Sequence, residues 1–419
     1  MTPPSLTAAP RTGAPTGVVL ALGATQTIAW ASSTYLPAIL AAPIARELGI
    51  SSATVFGAFS VSLLVMAVAG PPVGRAIDRL GGRDILMLSN LVLAAGLGLL
   101  GAANGPAMLF GAWCVLGAGM AMGLYDAAFA ALVRIYGPAS RKPITGITLI
   151  AGFASTVGWP LTAYVDAQFG WRAACYTWAL LHLLVALPLN WRCIPAMAAA
   201  PARNAAARAA QASDKATPPA GADGEPAAQR RDFALLAIFA ATTAFVTSAF
   251  AAHLPGLLLA MGAGAAGALF ASALLGPAQV AARLAEFGVM SRYRLHPLVT
   301  ARVATAMHPV AALMLGIAGG PPALAAAFAL LHGAGNGMIT IAKGTLPLAM
   351  FGSAGYGERQ GLLAVAARLM QAAAPYAFGL VLDTFGGRAA LALSGGLSLV
   401  ALGTLLMLRP AADQDVPNR

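Results

Sequence analysis

Twelve apolar stretches follow one another along this 419-residue chain, each near the roughly 20 residues that a helix needs to cross a bilayer. They lie near 17–41, 53–74, 85–102, 106–133, 144–166 and 172–193, then near 232–259, 264–286, 297–318, 322–350, 359–382 and 388–408. Inside hydrocarbon each backbone N–H and C=O must be satisfied internally, so runs of this length read as helices. Composition agrees, with 59% hydrophobic and 9% charged residues, against about 45–50% and about 25% in soluble domains. The expected fold class is an all-α integral membrane protein with twelve transmembrane helices, and an ordinary soluble enzyme is excluded.

Residues 194–231 separate the two sets of spans. This segment is rich in Ala and Pro, carries charges of both signs and cannot bury a core, so it reads as a mobile linker. The expected organisation is a tail over 1–16, a six-helix bundle over 17–193, the linker over 194–231, a second bundle over 232–408 and a tail over 409–419. The first apolar run is too long for the core of a signal peptide and reads as a retained span.

The formal net charge of +11 fits either nucleic-acid binding or basic loops beside anionic lipid. Sorting the charges decides between them. With both termini and the linker on one side, 19 of the 25 basic residues fall on that side, while Arg46, Arg172 and Arg388 fall on the other. That asymmetry is a positive-inside signal, placing both termini in the cytoplasm and excluding a nucleic-acid partner. The location expected is the plasma membrane, the inner membrane if the source is bacterial, with the bilayer itself as partner and the monomer as the working unit. Cys114, Cys175 and Cys193 lack paired spacing and read as small core residues, so no disulfide framework, metal or cofactor is expected.

The two halves resemble each other at an offset of about 216 residues. Tyr35-Leu36-Pro37 in span 1 answers to His253-Leu254-Pro255 in span 7, and Gly117-Ala118-Gly119 in span 4 to Gly333-Ala334-Gly335 in span 10. Gly170-Trp171-Arg172-Ala173-Ala174 likewise matches Gly386-Gly387-Arg388-Ala389-Ala390. Matches in order, at nearly one offset, indicate two pseudo-symmetric six-helix bundles of common design.

Loop 2/3 reads Gly74-Arg75-Ala76-Ile77-Asp78-Arg79-Leu80-Gly81-Gly82-Arg83-Asp84. Its glycines permit a tight reversal, and an aspartate at a helix end can pair with arginines held at the membrane face. Here the chain resembles the major facilitator superfamily, whose loop 2/3 signature is Gly-x-x-x-Asp-Arg-x-Gly-x-Arg-Arg/Lys. Gly74, Asp78, Arg79, Gly81 and Arg83 match it, and Asp84 departs from it. The resemblance implies a cytoplasmic latch at these residues, two bundles rocking about a central site, and spans 1, 4, 7 and 10 lining the cavity. Arg283-Leu284-Ala285-Glu286 in span 8 is similar to Arg75-Ala76-Ile77-Asp78, which implies that Arg283 and Glu286 belong to a second latch.

Charges inside spans cost several kcal/mol unless paired or hydrated, so each is a functional candidate. Lys343 and Arg368 are read as attracting an anionic substrate. Asp126 has three readings: carrier of a coupling proton, partner of Lys343, or member of the latch with Arg79 or Arg83. Arg368 has a competing role in packing or pairing with span 2 or 8. In span 1, residues 26, 30, 33 and 37 recur at helical spacing and present Gln26, Trp30 and Ser33 to the cavity, with helix–helix hydrogen bonding as the alternative. Tyr35 and its counterpart His253 precede the repeated Leu-Pro, where proline loosens a helix and frees carbonyls near a transport site. Both are substrate-binding candidates. His182 and His308 read as packing residues, and the Gly119/Gly123 and Gly333/Gly337 pairs as close-packing faces.

The chain has no His-Glu-x-x-His, Gly-x-Ser-x-Gly or phosphate-binding Gly-x-x-x-x-Gly-Lys-Ser/Thr. Secondary transport of a small organic anion by alternating access, proton-coupled or by exchange, is therefore the leading expectation, and an enzyme is not. Export of a toxic compound or metabolite is one alternative, and a transporter-like receptor is another.

Overall fold

The computed structural model describes residues 16–136, 140–196, 227–293, 296–351 and 356–409, and all regular structure among them is helical. Eleven helices are long and apolar enough to cross a membrane: Thr16–Leu48, Ser52–Ile77, Gly82–Gly101, Pro106–Tyr136, Lys142–Phe169, Trp171–Cys193, Ala228–Ala260, Ala265–Glu286, Pro297–Ala318, Pro322–Phe351 and Leu362–Met407. The last has 46 residues, roughly 70 Å of helix against a hydrocarbon core of about 30 Å. Gly386 breaks it with a φ of 79°. It is therefore two spans, and the chain crosses twelve times. Large apolar side chains such as Val68, Leu184, Ile317 and Phe385 stay exposed on the outside, the surface that lipid covers.

Successive spans run antiparallel, so the C-terminal ends of spans 2, 4, 6, 8 and 10 share one face, the one that leads into the chain's middle segment. We call this the linker face. The expected linker is shorter than its composition implied: Ile194 is buried against the first bundle, and helix resumes at Ala227. Residues 197–226 and both tails lie outside the described residues.

The duplication is visible in the packing. Gly170 (φ 83°) and Gly386 (φ 79°) make the same left-handed turn in each half, a conformation that glycine adopts without strain. A Cβ on Gly117 would meet the backbone of Ser62 in span 2, and one on Gly333 the backbone of Leu275 in span 8. Gly119 faces Leu93 of span 3, as Gly335 faces Ala304 of span 9. Spans 4 and 10 thus sit equally close to their neighbours because neither carries side-chain bulk there.

Several spans are interrupted. Span 1 unwinds between its helices Thr16–Ser32 and Pro37–Leu48, where Tyr35 N reaches back to Trp30 O at 3.1 Å. Pro37 opens the second helix, and Ser33 Oγ takes the Ala29 carbonyl at 2.5 Å. In span 7 the expectation of a proline-loosened helix fails. Pro255 lies inside the continuous helix Ala227–Ala260, with no Ser/Thr run beside it to compete for backbone groups. Span 4 breaks at Leu124 (φ −84°, ψ −171°), between Pro106–Gly123 and Tyr125–Tyr136.

Four apolar clusters fill the protein, and their membership defines its state. Toward the face opposite the linker, clusters mix the halves: Ala252 and Ala372 join the first bundle's core, and Trp159 joins the second's. Toward the linker face one cluster is drawn from the first bundle and another from the second, without exchange. The halves are therefore sealed by apolar packing on the opposite face. On the linker face they meet through polar contacts.

Candidate functional site

Two cavities meet at Lys343. The smaller, about 120 Å³, is bounded by Trp30, Thr34 and Tyr35 of span 1, Thr247 and Ser248 of span 7, Asn336 and Lys343 of span 10, and Gln371 of span 11. The larger, about 310 Å³, lies on the linker side and is lined by Asp126, Phe239, Lys343, Pro347 and Ala367 among others. Spans 1, 4, 7 and 10 line these spaces as expected, and span 11 joins them.

The first bundle presents aromatic rings. Trp30 lies 6.4 Å from Tyr35 and 5.0 Å from Tyr125, measured between ring centroids. Tyr125 stacks on Phe129 at 5.2 Å, and Trp159 sets its edge against Tyr35 at 5.3 Å. Trp159 Nε1 also donates to the Tyr35 carbonyl at 3.0 Å, so the unwound stretch of span 1 is clamped by span 5. Tyr125 follows the break at Leu124 and backs Trp30. The second bundle presents polar groups instead: Thr247 Oγ1 bonds Asn336 Oδ1 at 2.8 Å, and Ser248 Oγ donates to Gln371 O at 2.9 Å.

Each in-span charge has a defined setting. Arg368 Nη2 bonds Asp126 Oδ2 of span 4 at 3.0 Å, and its guanidinium also packs beside Gly70 of span 2. Among the described side chains, the ion-pair partner of Asp126 is Arg368. Asp126 occupies the first turn of the helix Tyr125–Tyr136, where the helix dipole favours a negative charge. Arg283 donates from Nη1 to Thr148 O at 3.1 Å and from Nε to Gly337 O at 3.3 Å, tying span 8 to span 5 of the other half. Glu286 is buried one turn further along span 8.

Two residues expected at the substrate site have partners within the protein. Gln26 is buried, and its Nε2 donates at 2.6 Å to the carbonyl of Gly123, at the break in span 4. The interrupted ladder takes this amide, which leaves only the later positions of span 1 facing the cavity. His253 stacks on Phe56 at 3.8 Å and bonds Pro375 O at 2.7 Å, so it belongs to the seal on the opposite face. In loop 2/3, Arg83 pairs at 3.1 Å with Asp84, the residue that departs from the family signature. Gly74 and Gly81 flank the end of span 2, Arg79 is exposed, and the side chain of Asp78 lies outside the described positions.

Sequence reasoning missed the polar network of the cavity and two histidine clusters. His182 lies between Ser32 Oγ (2.8 Å) and Asn90 Oδ1 (2.9 Å). Because the amide oxygen only accepts, Nδ1 carries the proton and Nε2 accepts from the serine. His308 and His332 bond through their Nδ1 atoms at 2.8 Å. Only tertiary structure brings these groups together, so their spacing in sequence held no signal.

The sequence profile of the Major Facilitator Superfamily matches residues 22–342. The chain belongs to the major facilitator superfamily. Solved structures of similar fold include a bacterial homolog of the human lysosomal transporter Spinster, in an inward-facing and unoccupied conformation, at 17% identity and TM-score 0.63 over 94% of this chain and 95% of that one. A D-xylose–proton symporter matches at 14% identity and TM-score 0.71 over 93% and 97%. The nucleoside transporter NupG matches at 12% and 0.69 over 93% and 99%. At such identities the likeness shows the shared fold. A protein of Thermoproteus tenax, described as an uncharacterized 38 kDa protein in a 23S RNA operon, is 33% identical over 154 residues. That match spans 36% of this chain and 40% of the relative. The superfamily assignment makes this chain a multi-pass membrane transporter of small molecules.

Proposed function

We propose that the protein carries a small organic anion by alternating access, with Lys343 as its counter-charge. The observation that carries this reading is the position of Lys343, which lines both the inter-bundle cavity and the larger space on the linker side. An anion entering from the linker face passes the ammonium before it reaches the aromatic wall. Arg368, the other cation assigned to the anion, is engaged with Asp126 and takes a gating role. The distribution of basic residues supports a cytoplasmic linker face with both termini inside, and a bacterial-type inner membrane fits that orientation. Transport proceeds by proton coupling or by exchange, from a monomer.

The test is counterflow in vesicles holding the purified protein, with a panel of labelled small anions and neutral solutes, with and without an imposed pH gradient. Anion exchange that is lost in Lys343→Gln and retained in Lys343→Arg supports the reading. Exchange of neutral solutes alone overturns it, and binding without exchange points to a receptor.

A further inference from the structure

We infer that the ligand is a planar aromatic or conjugated monocarboxylate of about benzoate size, its ring against Trp30 and Tyr35 and its carboxylate at Lys343. This deepens the anion reading and rests on it.

The cavity has two chemically different walls. The first bundle supplies the rings of Trp30 and Tyr35, with Tyr125 packed behind Trp30, and the second supplies hydrogen-bonding groups and the ammonium. A ligand matching both has a flat apolar face and an anionic edge, because aromatic rings attract other π faces in offset or edge-on contact. A neutral ligand would make no use of the cation that both spaces share.

The charge count favours a single carboxylate. Among the described lining residues Lys343 is the one Lys or Arg of the two cavities. Neither Arg368 nor Arg283 is among those lining residues. A second carboxylate would find no second Lys or Arg among the described lining residues. Size gives the same answer: the inter-bundle cavity measures about 120 Å³, close to the roughly 150 Å³ of an engineered apolar cavity that admits benzene.

Two donors complete the pattern. Trp30 Nε1 and Thr34 Oγ1 are buried without a hydrogen-bond partner, and Thr34 is only 5% exposed. Unsatisfied donors beside a cavity are expensive to leave unmade. Closure of the halves around acceptor atoms would satisfy them.

The experiment uses the full chain in detergent, read by tryptophan fluorescence and thermal shift, with four probes: benzoate, cyclohexanecarboxylate, benzamide and terephthalate. Benzoate is expected to bind about five- to tenfold tighter than cyclohexanecarboxylate, the increment of one aromatic contact, and tighter than benzamide or terephthalate. Trp30→Leu should erase the benzoate advantage while keeping cyclohexanecarboxylate binding, and the probe series on the unmodified protein stands if that variant fails to fold. Equal binding of benzoate and cyclohexanecarboxylate overturns the aromatic assignment and leaves the anion reading intact. Benzamide binding as tightly as benzoate, with Lys343→Gln unaffected, overturns both. Failure of all four probes overturns the inference alone, since the anion panel in vesicles judges the wider reading separately.

Discussion

Arg368 of span 11 reaches across the divide between the bundles, its Nη2 3.0 Å from Oδ2 of Asp126 in span 4. Here the two halves touch through charge on a face where their apolar cores stay apart. Asp126 is 78% exposed and Arg368 35% exposed, so the pair adds at most about 1 kcal/mol to stability. Its effect is on the equilibrium between states, because one partner lies on each moving body.

Asp126→Asn and Arg368→Gln are therefore each expected to slow counterflow while shifting the thermal midpoint little. The exchanged pair, Asp126→Arg with Arg368→Asp, should recover part of the rate. A double-mutant cycle on transport rate measures the coupling, and full additivity of the two single changes would rule it out.

Gln26→Leu separates a structural amide from a substrate ligand. The Gly123 carbonyl that accepts from Gln26 at 2.6 Å would be left bare in an apolar interior, a loss of about 1–3 kcal/mol. Thermal stability in detergent should fall, with substrate affinity unchanged in the protein that remains folded. A raised half-saturation constant at unaltered stability would return Gln26 to the cavity.

Gly117→Val and Gly333→Val should both destabilise, because each added side chain meets a neighbouring backbone, that of Ser62 or Leu275. Overpacking of this kind costs about 1–3 kcal/mol, and more where backbone must move. Gly396→Ala is the control, since nothing lies within 4 Å of a Cβ there. Chemical denaturation in detergent reads all three.

His182→Phe removes the centre of the Ser32–His182–Asn90 chain and leaves two buried polar side chains short of a partner. A loss of about 1–3 kcal/mol is expected. Asn90→Leu combined with His182→Phe should cost less than the sum of the single changes, because the groups share one network.

The fold was legible because its signals are local. Span length follows from apolar runs, and Gly170 and Gly386 mark equivalent turns by the residue type that a positive φ requires. The glycines of spans 4 and 10 announced close packing for the same reason. The site was legible only in part. Lys343, Trp30 and Tyr35 line the cavity, while Gln26 is bonded to the Gly123 carbonyl and His253 to that of Pro375, partners on other spans that helical spacing within one span does not name. Span 1 unwinds at residues 33–36 and span 4 at Leu124. The latter break has no proline beside it, and just after it Tyr125 meets Trp30 and Asp126 meets Arg368. Pairings across the halves depend on how two bundles dock, which no local pattern encodes.

The seam of Phe56, His253 and Pro375 closes the face away from the linker with ring stacking and a hydrogen bond. Each turnover must part that seam and exchange its buried rings for water. Where that seam outweighs the Asp126–Arg368 contact on the linker face, the unliganded carrier favours one compartment. Its two sides then differ in apparent affinity by the fraction of molecules open to each, and net flux measured in opposite directions across the same membrane would saturate at different concentrations.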